Sequence, residues 1–340
     1  MKYTTQDFKS DQEVKWCPGC GDHAVLASVL RSMPTVCEEL GCNKEKLVFV
    51  SGIGCSSRFP YYMDTYGFHG IHGRATALST GIKVANPELV VWQMTGDGDS
   101  LAIGGNHFIH AVRRNININV ILFNNRIYGL TKGQYSPTSK FGLVTKTSPY
   151  GTIEQPFTPG QLVLGARGTF FARSLDYDLA LNQEIIPAAA KHKGASIIEM
   201  CTNCVIYNDG THKEWSDREN RAETTITLRH GEPMIFGKNR DKGIILDRES
   251  LQLKVVKIGE NGITEKDILV HDAHSDNVGI HTMLVNMKYP DFPVALGVIR
   301  DVEDQTYDEN LWNQVCDVKS KAKIKSVDEL LNSGATWKVE

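Results

Sequence analysis

The stretch from Leu89 to Asn125 restricts this chain more than any other. A short apolar run, Leu89–Met94, stops abruptly at Thr95-Gly96-Asp97-Gly98-Asp99. A helical stretch follows at Leu101–Arg113, then a second apolar run, Val120–Phe123, which ends in Asn124-Asn125. Asp97 and Asn125 are 28 residues apart, about one helix plus one strand. That spacing brings both side chains to the carboxyl ends of neighbouring strands, where open α/β sheets bind their ligands. Gly96 and Gly98 let the backbone approach a phosphate closely. The helix expected from Leu101 offers unpaired N–H groups to an anion, and Asp97 supplies a hard oxygen suited to Mg²⁺. A tight Gly-Asp-Gly turn beside an unrelated Asn-Asn turn is the plainer reading. A lone GDG would not decide against it, but the ordered strand–GDG–helix–strand–NN does.

The same alternation runs through the first two thirds of the chain. Candidate strands are Leu47–Val50, Leu89–Met94, Val120–Phe123, Ala195–Met200 and Val294–Val298. Candidate helices are Asp22–Met33, Arg74–Ala85, Leu101–Arg113, Leu179–Lys191 and Asn277–Met287. Short apolar strands separated by helices imply a doubly wound α/β fold, a mostly parallel sheet with helices on both faces. The expected division is a main domain over residues 10–210 and a C-terminal extension over 211–340 that contacts a partner. Net charge is −3, so nucleic acid is not expected as a partner. No apolar run is long enough to span a bilayer. Met1–Lys15 is polar and lacks the apolar core of a signal peptide, so a cytoplasmic location is expected.

Eight cysteines are present. In a reducing compartment they are not a disulfide framework, and the clustered ones raise metal or redox chemistry. Cys17-Pro-Gly-Cys20 and Cys201-Thr-Asn-Cys204 are CxxC pairs, and Cys55 lies in a Gly-Ile-Gly-Cys-Ser-Ser loop after a candidate strand. Two CxxC pairs suit a structural zinc; the long gap between them and the third site at Cys55 suit an iron–sulfur cluster equally. Unligated thiols are the third possibility. Cys37, Cys42 and Cys316 read as structural or incidental.

Several of these segments together resemble a known family. GDGD followed by FNNRIYGLTKGQYSPT looks like the thiamine-diphosphate motif of the 2-oxoacid:ferredoxin oxidoreductases, most like the beta subunit of their 2-oxoglutarate-type branch. WCPGCGDHAVL, GIGCSSRFPYY, GFHGIHGRA and TGIKVANPEL extend the likeness over most of residues 14–145. The resemblance implies that Asp97, Asn125 and the Ile127 carbonyl hold Mg²⁺. It implies that Gly96, Gly98, Asp99, Leu130 and Thr131 lie against thiamine diphosphate, with Ser56, Ser57 and His72 nearby. It turns the cysteines toward a [4Fe–4S] cluster held by Cys17, Cys20, Cys55 and Cys204, with Cys201 as an alternative to Cys204. Arg58 and Lys132 are expected near the carboxylate of a 2-oxoacid, an Arg as a two-pronged clamp and a Lys as a point charge. His72 is a second candidate for contact with the substrate, and His69 for either role.

Thiamine activation needs a carboxylate on the aminopyrimidine ring, and only one domain's worth of the cofactor pattern is present. The resemblance implies that this Glu sits on a partner alpha subunit, which also shares the coenzyme A site, in an (αβ)₂ assembly. The expected reaction is reversible oxidative decarboxylation of 2-oxoglutarate, with coenzyme A and ferredoxin. A pyruvate or broad-range homologue, and a non-redox thiamine decarboxylase with zinc, are the alternatives.

Overall fold

The computed structural model describes residues 3–339; Met1 and Lys2 of the polar N-terminal segment, and Glu340 of the C-terminal one, lie outside the described residues. The apolar runs become strands because each splits its side chains between two cores. In β1 (Leu47–Ser51), Leu47 and Phe49 join Trp92, Ile121, Phe123 and Ile198 on one face. Val48 and Val50 join Val91, Val120, Leu122 and Ile197 on the other. A sheet covered on both faces needs strands that are apolar at nearly every position.

Before β1 comes helix α1 (Asp22–Leu40). After it come edge strand β2 (Tyr66–His69), α2 (Ala75–Ala85), β3 (Val90–Gly96), α3 (Gly105–Arg113) and β4 (Asn119–Asn124). Helix α4 (Pro159–Gly165), β5 (Phe170–Leu175), α5 (Leu179–Lys191) and β6 (Ser196–Cys201) follow. Two single-turn helices, α6 (Lys213–Ser216) and α7 (Arg221–Thr224), lead to β7 (Thr225–Leu228). Strands β8 (Ile235–Phe236), β9 (Lys242–Asp247) and β10 (Gln252–Lys257) make a separate antiparallel sheet. Helix α8 (Val278–Val285), β11 (Val294–Asp301), α9 (Tyr307–Lys321) and α10 (Val327–Leu331) complete the chain.

The main sheet has eight strands in the order β2-β1-β3-β4-β6-β5-β11-β7. Every neighbouring pair is parallel except β11 with β5. The doubly wound reading therefore holds, but the expected boundary at residue 210 does not divide this sheet. Strands β7 and β11, both past that boundary, finish it, because β5 would otherwise expose an unpaired edge. Only the stretch beyond β11 is peripheral: α9 buries little besides Asp308 and is tied back by Trp312 Nε1 donating to the Val84 carbonyl, 3.0 Å away. Among the described residues, no helix is long and apolar enough to cross a membrane.

Two local differences matter for the site. The helical backbone begins at Asp97 rather than near Leu101, and passes through a π-turn at Asp99–Ile103 before α3. Strand β5 was not expected, since Arg173 and Ser174 interrupt its apolar run.

Candidate active site

Strands β3 and β4 pair in register, Gly96 opposite Phe123, so Asp97 and Asn124-Asn125 leave the sheet side by side. A cleft of about 570 Å³ opens there. Gly96, Asp97, Gly98 and Asp99 form one wall and Asn125, Ile127, Leu130 and Thr131 another; Ser56 and His72 close it. These residues were expected at the site, and the fold brings them together.

Asp97 is buried, and its Oδ2 accepts hydrogen bonds from Ser136 Oγ and Thr138 Oγ1, both at 2.5 Å. Burial pushes its carboxyl above the usual range, and the two hydroxyls pull it part of the way back. Among the described residues, no side-chain donor reaches Oδ1. Asn125 Oδ1 accepts from Ile127 N–H at 3.2 Å, which folds the Ile127 backbone toward the same space. The Asn208 amide holds the carbonyls of Asn125 and Arg126, each at 3.1 Å.

Gly98 is required here because a methyl group on it would overlap the Tyr128 ring. Tyr128 donates to the Gly98 carbonyl at 3.1 Å, and burial pushes its phenol up to about 12. The Ser56 hydroxyl is buried with no protein partner, and it stands 3.6 Å from where a Gly96 side chain would begin. An unpartnered hydroxyl beside a glycine-lined backbone fits a polar ligand such as a diphosphate.

Asp99 lines the cleft and also holds neighbouring loops. Its carboxylate accepts from Gly73 N–H at 2.7 Å, Thr95 Oγ1 at 2.8 Å and Ile53 N–H at 3.1 Å. His72 Nδ1 lies 2.9 Å from the same group. Asp99 thus ties the 52–54 and 70–73 loops to the sheet, and an anion would meet its backbone rather than its carboxylate. Ser57 is buried behind the cleft, its carbonyl accepting from Ser51 Oγ at 2.8 Å. Arg58 and Lys132 are exposed and do not line the cleft. His69 lies on edge strand β2, against Tyr61.

The Cys55 loop lines the cleft directly, and Gly129 lies between it and Cys204. A methyl group placed on Gly129 would sit 3.4 Å from Cys204 Sγ and 3.6 Å from Cys55 Sγ. Gly129 and Cys55 both line the cleft, so one of the thiols stands on its wall. The CPGC loop reaches the same region: Gly19 faces Val205, and Trp16 Nε1 donates to the Cys55 carbonyl at 2.7 Å. Burial pushes the Cys55 thiol up to about 12, with Asp22, Cys204 and Cys17 adding to the effect. Cys20 is raised for the same leading reason, with Asp22, Cys55 and Cys204 contributing. Cys201 ends β6 on another side, buried against a second cavity with Arg126, Arg173 and Glu199. Among the described residues, no three His, Cys, Asp or Glu side chains converge tightly enough to hold a single metal ion.

Sequence reading passed over Asp22, Tyr128, Ser136 and Thr138. Asp22 is fully buried at the start of α1, lines the cleft, and has one oxygen without a partner. Burial raises its pKa to about 7. Its signal was its place two residues after Cys20. Ser136 and Thr138 lie in the SPTS run that already belonged to the recognised segment, but nothing in their spacing marks which oxygen they hold.

Residues 52–200 match the family described as thiamine pyrophosphate enzyme, C-terminal TPP binding domain. The chain is 46% identical to the 2-oxoglutarate oxidoreductase subunit KorB of Mycobacterium tuberculosis, over 98% of this chain and 88% of that one. It is 47% identical to the 2-oxoglutarate synthase subunit KorB of Archaeoglobus fulgidus, over 56% of this chain and 69% of the relative. Among solved structures it resembles a 2-oxoglutarate:ferredoxin oxidoreductase of Magnetococcus marinus with 2-oxoglutarate, coenzyme A and succinyl-CoA bound. The TM-score is 0.75 at 29% identity, covering 97% of this chain and 95% of that one.

Proposed function

The chain belongs to the beta subunits of the 2-oxoglutarate-type 2-oxoacid:ferredoxin oxidoreductases, and we propose that its cleft holds the Mg²⁺-bound diphosphate of thiamine diphosphate beside a [4Fe–4S] cluster. Its thiamine-binding domain and its place in a 2-oxoglutarate oxidoreductase follow from the family. The metal, the cluster and the residue roles are our reading.

One observation carries it: Asp97, buried with Oδ2 held by two hydroxyls, lines the same 570 Å³ space as Cys55 and Gly129, and Gly129 stands beside both Cys55 and Cys204. Asp97 and Asn125 side chains and the Ile127 carbonyl would hold Mg²⁺, which needs few protein ligands when a diphosphate supplies the others. Backbone at Gly96 and Gly98, with Ser56, Leu130 and Thr131, would cradle the diphosphate.

Cys17, Cys20, Cys55 and Cys204 would hold the cluster. Zinc keeps its thiolates about 2.3 Å from one centre and so draws them into near contact. A cluster gives each thiolate its own iron. Cys55 and Cys204 both lie beside Gly129, and the CPGC loop reaches the same region, an arrangement a cluster can bridge. When bound, the two cofactors supply carbanion stabilisation and a one-electron acceptor.

The chain's own residues bind, orient and exclude water. Arg58 and Lys132, exposed near the site, would meet the substrate carboxylates at a surface closed by the alpha subunit. That subunit would add the activating Glu and part of the coenzyme A site, with ferredoxin as the electron acceptor, a reversible overall reaction and an (αβ)₂ assembly. The test is anaerobic co-purification with the alpha subunit, then assay of 2-oxoacids with coenzyme A and a low-potential acceptor. Acceptor reduction that requires both 2-oxoglutarate and coenzyme A is the expected result. A colourless complex containing zinc would overturn the cluster assignment.

A further inference from the structure

We infer that the buried Arg173–Glu199 ion pair positions the metal-ligating carboxylate of Asp97, acting through Asn124 and Thr138. The inference rests on the metal–diphosphate reading of the cleft. Arg173 of β5 and Glu199 of β6 stand directly opposite each other in the sheet. Arg173 Nε donates to Glu199 Oε2 at 2.7 Å, and its two other nitrogens face the carbonyls of Ala295 and Val285, each at 3.4 Å. Glu199 Oε1 accepts from Asn124 Nδ2 at 2.7 Å.

A carboxylate only accepts hydrogen bonds, so it fixes which way the Asn124 amide faces: NH₂ toward Glu199, oxygen toward Thr138. Asn124 Oδ1 lies 2.9 Å from Thr138 Oγ1, which lies 2.5 Å from Asp97 Oδ2. The Thr138 hydroxyl lies between two acceptors and has one proton to give, so it donates to the nearer, Asp97 Oδ2, and the Asn124 oxygen bounds it on the other side. Asp97 Oδ2 is held by this hydroxyl and by Ser136 Oγ together. All five side chains of this chain of contacts are buried.

Placement in the fold argues for a role beyond packing. A buried ion pair gains little net stability over well-packed apolar residues and is weak support for a purely stabilising role. This one interrupts the apolar run of β5 and sits in the carboxyl-terminal halves of β5 and β6, beside the strand that carries Asn124. The partners that orient a metal ligand typically change metal affinity about 10–100-fold when lost.

Asn124-Asn125 therefore divides its labour: Asn125 faces the metal space, and Asn124 carries the support behind it. Arg173, Glu199, Asn124 and Thr138 are positioning residues.

The test is Mn²⁺ binding to the αβ complex with thiamine diphosphate, read from the electron paramagnetic resonance of free Mn²⁺. Thr138→Val should weaken Mn²⁺ about tenfold, and Thr138→Ser should restore it. Breaking the ion pair on one side risks misfolding, so both charges are removed together as Arg173→Met with Glu199→Leu. A thermal melt checks that this variant folds. It should weaken Mn²⁺ severalfold, and should add little in the Thr138→Val background, because both changes act on one hydroxyl. Unchanged Mn²⁺ affinity in the charge-free variant, or effects that simply multiply, would overturn the inference. A wild-type complex that binds no Mn²⁺ with thiamine diphosphate would sink the reading of the cleft instead.

Discussion

The two sides of the β4 tip are built on opposite terms. On one side is the cleft, where the Ser56 hydroxyl and one Asp22 oxygen are buried with no partner. On the other side, Arg173 and Glu199 meet each other and each meets a further group, Arg173 two carbonyls and Glu199 the Asn124 amide. Unpartnered buried polar atoms are costly unless something else meets them. The difference separates what the chain completes alone from what it leaves for others. In the frame behind Asp97, the Arg173–Glu199–Asn124 contacts are all made, and one buried atom there, His212 Nδ1, has no partner; in front of it, the cleft leaves Ser56 Oγ and an Asp22 oxygen open.

Asp97→Ala should break the comparison most severely. It removes the atom where frame and cleft meet, so metal-dependent thiamine diphosphate binding should fall at least a hundredfold while the visible absorption of the complex survives; equal loss of both would mean general collapse. Next in size is the pair of cysteine substitutions. Cys204→Ala should lose most of the iron and the brown colour, and Cys201→Ala should keep them, because Cys204 faces Gly129 and Cys201 faces the second cavity. Reversed iron contents would reassign the ligand. Arg58→Ala and Lys132→Ala should each raise KM for 2-oxoglutarate severalfold with little change in kcat; unchanged kinetics would return both residues to the ordinary surface.

The smallest effect belongs to the side behind Asp97. His212 is buried, and Nε2 lies 2.8 Å from the Asn124 carbonyl. Burial, reinforced by the Arg126 charge, lowers its pKa from 6.5 to about 3. The unfolded state then binds the extra proton between those values, so this contribution to stability is complete above pH 6.5 and is lost as pH falls toward 3. His212→Gln should flatten the acid limb of a plot of Tm against pH and leave the neutral plateau nearly in place. An acid limb as steep as in the wild type would remove His212 from this role.

How much was legible follows the same divide. The strand–GDG–helix–strand–NN order located the cleft because glycine, aspartate and asparagine are chosen there for reasons a short window contains. Strand β5 was missed because Arg173 looks wrong for a buried strand until Glu199, 26 residues later, is placed opposite it. The loop-holding contacts of Asp99 were not legible, because nothing local shows that its partners would be Ile53 and Gly73, from loops earlier in the chain. Edge strand β2 was missed for a simpler reason. All four of its residues are exposed, so burial imposes no alternation on it.

The insertion of β11 between β5 and β7 has a consequence for how the protein is made. As the chain leaves the ribosome, β1 to β6 emerge with every residue that lines the cleft. The β11-facing edge of β5 then waits for Val294–Asp301, more than a hundred residues behind it. Pairings so distant in sequence form slowly, and an open strand edge invites association with other chains in the meantime. The Ala295 carbonyl that receives Arg173 arrives on that same late strand. The cofactor half-site therefore exists as sequence long before it exists as a rigid surface, and docking of the alpha subunit before residue 301 has emerged would meet an unfinished sheet.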